Sequence, residues 1–183
     1  VSEGCAQEIA GSYKLKEVQL LRNTPMLSVL VETEKNLRRD LGIGTDTKLI
    51  IYTGSVTFNR GVELIIRALS HLPRYNLVTI GPWNKDVKLE LEALAVSLKV
   101  QDRFYMHPEV SPAELISLAS QGDLSVIPIQ DACLSYRYCL PNKIFEAAFA
   151  GLPIVASSLP DMERFITEND LGMVFESDSV ESL

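Results

Sequence analysis

The stretch L-P-N-K-I-F-E-A-A-F-A-G-L-P-I-V-A-S, residues 140–157, decides how this chain is read. It divides into a loop, a helix, a tight stop and a buried strand. Pro141 suits a first helical turn, where a missing N–H costs nothing and φ is preset. Ile144, Phe145, Ala148 and Phe149 supply apolar faces, and Gly151 followed by Pro153 ends the helix. The polar side chains crowd at the other end: Asn142, Lys143 and Glu146 fall within about one turn, with Asn142 and Glu146 on one face. Unsatisfied backbone N–H groups, the positive end of a helix dipole and a lysine together make a seat for phosphate. A carboxylate one turn deeper, Glu146, can take a pair of ribose hydroxyls in charge-assisted bonds. That is a nucleotide-diphosphate site in outline. The plainer reading of the same residues is a surface Lys143–Glu146 pair at i, i+3, worth ~0.2–0.5 kcal/mol.

Working outward, the chain from Lys48 onward keeps a regular beat. Apolar and β-prone runs at 49–52, 77–80, 103–106, 123–128, 153–156 and 172–175 predict six strands. Between them Val62, Ile65, Ile66 and Leu69 recur at helical spacing, as do Val87, Leu91, Leu94, Ala95 and Leu98. Ser111-Pro-Ala-Glu114 is a capping box with proline at the first helical position, opening a helix through Ala119. A further helix is expected over 160–167. Strands alternating with helices, several of them solid apolar runs, mean an α/β fold with a parallel sheet covered on both faces. Right-handed crossovers favour a doubly wound, Rossmann-like order of 3-2-1-4-5-6. In such sheets ligands lie beyond the strand C-termini where the order reverses, here between the first and fourth strands. The loops that reach this point are 54–60 and 129–141.

The first of those loops reads T-G-S-V-T-F-N-R-G from Thr53. Gly54 lets the backbone approach a ligand closely. Arg60, at the start of the next helix, is either a diphosphate ligand or a solvated arginine in an ordinary turn. The loop is not a G-x-G-x-x-G fingerprint, and Gly81 ends the second strand where a dinucleotide site would have an acid. Nicotinamide and methyl-donor cofactors are therefore disfavoured, and without G-K-[ST] there is no P-loop. Trp83, Tyr136 and Tyr138 fall in loops at the same edge, where a ring can stack on a base or sugar or simply pack. His107-Pro-Glu-Val110 ends the third strand there and offers backbone groups to a base.

The 183 residues suffice for one full domain and a remainder. A hydrophobic content of 46% fits a well-buried fold rather than disorder. The net charge of −7 argues against a nucleic-acid partner, which normally demands a basic patch. Cys5, Cys133 and Cys139 show no C-x-x-C spacing and read as reduced thiols of a cytoplasmic protein. With His71 and His107 as the remaining ligand types, a metal site is not expected. No apolar run approaches the ~20 residues of a membrane span, and no signal peptide is expected ahead of the first helix. The early part predicts a helix over 2–11 with Ser2 as cap, a strand at 18–21 stopped by Asn23-Thr-Pro25, and a charged helix over 32–41 ending at Gly42. That span contains no complete core. After Asp178 another helix is expected to start.

Four segments, in order and properly spaced, resemble the C-terminal domain of the group 1 retaining glycosyltransferases of GT-B fold. They are G-S-V-T-F-N-R-G-V-E-L-I-I-R-A-L from Gly54, L-V-T-I-G-P from Leu77, D-L-S-V-I-P from Asp123, and the opening stretch from Leu140. The resemblance covers roughly residues 48–175, and its last segment is the most specific. V-S-E-G-C-A-Q-E-I-A at the start is similar to the last helix of that family's acceptor domain. The resemblance implies two parts: residues 1–45, the end of an N-terminal acceptor domain plus linker, and 46–183, a C-terminal nucleotide-sugar-binding domain cut short at its C-terminus. Arg60 and Lys143 would hold the donor's diphosphate, the backbone at Gly54 and Ser55 would lie close by, and Glu146 would bind ribose. Gly81, Val110, Tyr138, Pro141 and Asn142 would complete the donor site. Two departures stand out. The family often has glycine-arginine where this chain has Gly54-Ser55, and it often carries two glutamates, the first of which is replaced here by Tyr138. That carboxylate commonly contacts the donor sugar.

The resemblance implies transfer of a sugar, with retention, from a UDP- or GDP-sugar to an acceptor such as a growing polysaccharide or glycan. Catalysis would be electrostatic, with Arg60, Lys143 and helix N–H groups stabilising the departing diphosphate. Neither cofactor nor metal is expected beyond the nucleotide-sugar itself. The acceptor, and any contact with the inner membrane face, would belong to a missing N-terminal domain, so the donor half alone would be inactive. A non-hydrolysing nucleotide-sugar epimerase shares the fold but would carry an Asp-Ser-Gly-Gly segment, which is absent. A non-catalytic nucleotide-sugar-binding module is the other rival, favoured by Ser55 and Tyr138.

Overall fold

The structure, a computed structural model, describes residues 2–25 and 34–183. Strands β1 (Lys48–Thr53), β2 (Tyr75–Ile80), β3 (Phe104–His107), β4 (Leu124–Ile127), β5 (Ile154–Ser157) and β6 (Gly172–Phe175) form one six-stranded sheet in the order β3-β2-β1-β4-β5-β6. Every neighbouring pair is parallel. This is the expected doubly wound order, with the reversal between β1 and β4. Five of the six positions in both β1 and β2 are buried, which is why these runs carry no polar alternation.

Successive residues of β1 face opposite layers. Ile50 and Tyr52 pack with Val62, Ile65, Ile66 and Leu69 of α3 (Val62–Leu69) and Leu91 of α4 (Lys85–Ser97). Leu49 and Ile51 pack with Leu118 of α5 (Pro112–Ala119) and with Leu37 and Ile43. Those last two come from α2 (Leu37–Leu41) and the residue after its Gly42 stop, so the connector contributes to the core. A third cluster joins Ile127 and Ile154 to Ile144 and Ala147 of α7 (Asn142–Phe149) and Met162 and Ile166 of α8 (Pro160–Glu168). Between β4 and α7 lies a single helical turn, α6 (Leu134–Arg137). The N-terminal helix α1 (Glu3–Tyr13) begins as expected at Ser2, whose hydroxyl accepts from Cys5 N.

Three expectations are corrected. Residues 18–21 form no strand: Val18 is half-buried and the other three are exposed. Strand propensity describes fitness for a half-buried pleated surface, and this run finds none. The charged helix is shorter than expected, starting at Leu37 behind the Asn36 cap; Glu32 and Thr33 lie outside the described residues. The residues after Asp178 make turns instead of a helix. There the serine hydroxyls bond the backbone locally, Ser182 Oγ accepting from Glu176 N at 2.9 Å and Ser179 Oγ from Ser182 N at 3.2 Å, which competes with helix formation.

Gly61 fixes how closely the two switch-point loops approach. It has φ +72°, and a Cβ there would collide with the Pro128 carbonyl at the end of β4. Gly61→Ala is expected to destabilise the fold by at least ~2 kcal/mol, from left-handed strain plus overpacking, read as a lowered urea midpoint at unchanged slope.

Candidate functional site

Two helices open at the C-terminal ends of β1 and β4, and neither has a side-chain cap. One is α3, which starts at Gly61, and the other is α7, which starts behind Pro141. Pro141 is not inside the first turn. It is the extended cap residue, at φ −78° and ψ 153°, one position earlier than expected. The shift leaves Asn142, which keeps its N–H, as the opening helical residue. Ile144 N bonds back to the Pro141 carbonyl at 3.1 Å, while the Asn142 and Lys143 amides find no acceptor among the described residues.

Lys143 is buried at 8% exposure, with its Nζ 4.0 Å from the centroid of the Tyr52 ring. Arg60 holds its guanidinium carbon 4.8 Å from the centroid of Tyr136. Among the described residues neither cation makes a hydrogen bond or ion pair. The expected alternative of a surface Lys143–Glu146 pair is therefore not what forms. Burial, and then the positive charge of Arg60, push the Lys143 amine down to about 7, opposed by Glu146 and Cys139. Two cationic side chains thus face one site, and among the described residues neither has an ion-pair partner.

Glu146 is engaged elsewhere. The buried Thr53 donates from Oγ1 to Glu146 Oε2 at 2.9 Å, so the end of β1 orients the carboxylate. Gly54 has φ +97°, and a Cβ on it would lie 3.7 Å from Lys143 Cε. Gly81, at φ +148°, sits against it: an added Cβ would come within 2.5 Å of the Gly54 carbonyl oxygen. Ser55 is exposed, and its carbonyl accepts from the Tyr52 hydroxyl at 3.0 Å, which anchors the ring beneath Lys143.

The structure therefore brings together Gly54, Arg60, Lys143 and Glu146, with Gly81 behind Gly54 and the Pro141 and Asn142 backbone at the helix mouth. Two expected residues have partners of their own. Val110 packs on the cluster around Leu49 and Ile80. Tyr138 turns to α1, where its hydroxyl donates to Glu8 Oε1 at 3.3 Å. Trp83 packs under Lys88 at 5.0 Å, away from these cations. The three cysteines are free, and burial pushes the Cys139 thiol up to about 11 despite its cationic neighbours. Tyr52 and Thr53 escaped the sequence reading. Tyr52 sits inside an apolar run, and Thr53 showed only as a lone hydroxyl at a strand end.

A doubly wound sheet of this order is Rossmann-like, the architecture that each half of a GT-B fold has. The chain belongs to the family of glycosyl transferases group 1, which matches residues 33–183. A curated relative, the D-inositol 3-phosphate glycosyltransferase of Xylanimonas cellulosilytica, is 29% identical over 143 residues, covering 76% of this chain and 33% of the relative. The chain thus spans about a third of that relative's length. Among solved structures, the glycosyltransferase of Rickettsia africae superposes with a TM-score of 0.81 at 14% identity, covering 100% of this chain and 49% of its own. Anabaena HepE in complex with UDP and glucose gives 0.76 at 16% identity, covering 92% and 45%. Among the described residues no group of acidic, histidine or cysteine side chains could hold a metal ion, and no helix is long and apolar enough to cross a membrane.

The displaced lysine has a consequence for stability. A base whose folded pKa lies near 7 and whose unfolded value is ~10.4 costs most where both states are charged, below pH 7, and that cost fades as pH rises towards ~10.4. Lys143→Met is therefore expected to be more stable than the parent at pH 6. Its advantage should narrow on the order of 4 kcal/mol by pH 10, as followed by denaturant unfolding across the pH series.

Proposed function

We propose that this chain is the donor-binding part of a cytoplasmic glycosyltransferase. The enzyme moves a sugar from a UDP- or GDP-sugar, with retention of anomeric configuration, to an acceptor held by another part of the protein. The observation that carries this reading is the pair of unneutralised cations, Arg60 and Lys143, beside two uncapped helix N-termini. A diphosphate supplies the negative charge that this arrangement lacks. Its support from relatives is of two kinds: the family to which the chain belongs, and a fold neighbour solved with UDP and glucose.

In this reading the diphosphate is the leaving group. As the bond from the anomeric carbon to the diphosphate oxygen breaks, charge builds on that oxygen, and Arg60, Lys143 and the α7 amides stabilise it. Binding the anion also favours the protonated lysine. Glu146, with Oε2 held by Thr53, keeps Oε1 for ribose hydroxyls.

In the intact protein, Arg60→Ala and Lys143→Ala are each expected to lower turnover about a hundredfold or more, assayed by release of UDP or GDP from a panel of nucleotide sugars. Near-normal turnover in both would refute the assignment, and the anomer of the product tests retention. Thr53→Val should weaken nucleotide binding about five- to tenfold by calorimetry, whereas Thr53→Ser, which keeps the donor hydroxyl, should bind like the parent.

A further inference from the structure

Each switch-point cation rests on a tyrosine ring, and the two rings are held differently. Tyr52 is fully buried in the core and is fixed by packing. Tyr136 is half-buried on α6, a single turn within the loop between β4 and α7. That loop is gripped by α1. Ser2 Oγ donates to the Tyr138 carbonyl, Cys5 Sγ approaches the same oxygen at 3.5 Å, and the Tyr138 hydroxyl reaches Glu8. Inside the loop, Tyr138 N bonds Leu134 O at 3.2 Å and Cys139 N bonds Tyr136 O at 3.0 Å. The backbone that carries the Tyr136 ring is thus tied to the segment that α1 holds.

We propose that Tyr136 is a positioning residue for Arg60, its ring face seating the guanidinium at the switch point while α1 keeps the ring in place. This rests on the donor reading above. A long arginine loses rotamer freedom when it is fixed, and Lys143 repels it from the site, so something must hold it there. A carboxylate seat would do so but would cancel the charge and compete with an incoming anion. An aromatic face attracts the flat guanidinium through its quadrupole and leaves the N–H edge open for two parallel bonds to phosphate oxygens. Arg60 has no ion pair or hydrogen bond among the described residues, so the ring is its seat.

The test is made in the intact protein, with UDP and GDP as calorimetric probes. Tyr136→Leu removes the π face at similar bulk, and Tyr136→Phe keeps it. Tyr136→Leu is expected to bind the preferred nucleotide about five- to tenfold more weakly, and Tyr136→Phe within about twofold of the parent. Arg60→Ala combined with Tyr136→Leu should bind no more weakly than Arg60→Ala alone, since the ring acts only through the arginine. Thermal midpoints report folding, and Tyr136→Met replaces Tyr136→Leu if the latter unfolds. Parent-like binding by the leucine or methionine variant overturns the inference while leaving the donor reading intact. So does equal weakening by Tyr136→Phe, or additive losses in the double variant. A parent protein that binds neither UDP nor GDP overturns the donor reading and this inference with it.

Discussion

The arrangement at the switch point turns on an unrelieved repulsion. Lys143 from α7 and Arg60 from the loop ahead of α3 approach the same rim, and burial, with the Arg60 charge adding to it, depresses the buried amine. In a dry site a like-charge pair is costly, and proteins usually insert a carboxylate between such groups. Glu146 is near enough to do that, yet its carboxylate is turned to Thr53. Among the described residues neither cation has an ion-pair partner and Glu146 is held aside by Thr53, which in the donor reading proposed above leaves the pair open to an anion.

The backbone explains how the charges come so close. Parallel strands deliver every following helix N-terminus to the same edge, and the order reversal parts α3 from α7 at the point where open α/β sheets bind their ligands. Two glycine contacts then remove the spacing that side chains would impose: Gly61 against Pro128, and Gly81 against Gly54. The first brings the Arg60 loop onto the end of β4. The second sets β1 and β2 close at their ends, and the Lys143 side chain passes beside Gly54. Local conformation, packing and electrostatics converge on one small volume.

Much of this was legible in the sequence, for identifiable reasons. The strand order followed from buried runs without alternation, punctuated by Gly and Pro, because parallel strands covered on both faces admit few topologies. The Leu140–Ser157 stretch announced its helix through polar residues at one end and Gly151-Leu-Pro153 at the other. What was not legible depends on partners distant in the chain. The largely apolar run Val18-Gln-Leu-Leu21 contains no information about whether a surface exists to cover it. Pro141 fits either the cap or the first turn by propensity, and only the closing bond to Ile144 decides. The tyrosine under Lys143 and the threonine on Glu146 are properties of register between β1 and α7, which no local pattern encodes.

The N-terminal helix sharpens that point. The resemblance gives residues 2–13 as the end of the acceptor domain, and this helix packs against α8 and the α6 loop. The buried Asp161 of α8 accepts from Gly4 N at 2.9 Å, capping α1 from another helix, and Arg164 bridges Asp161 at 2.7 Å and Glu3 at 3.0 Å. Gly4 admits no Cβ there because the Tyr138 ring occupies the space. Tyr138, which stands where the resemblance leads one to expect an acid, thus has a physical role that an acid could not fill, as a flat apolar surface closing the contact between α1 and the α6 loop. The departure from pattern is explained by packing, and it ties the loop that carries Tyr136 to a helix that ends at Tyr13, 35 residues before β1 starts at Lys48. The same helix is thus anchored both to α8, which packs on the sheet, and to the loop that carries Tyr136.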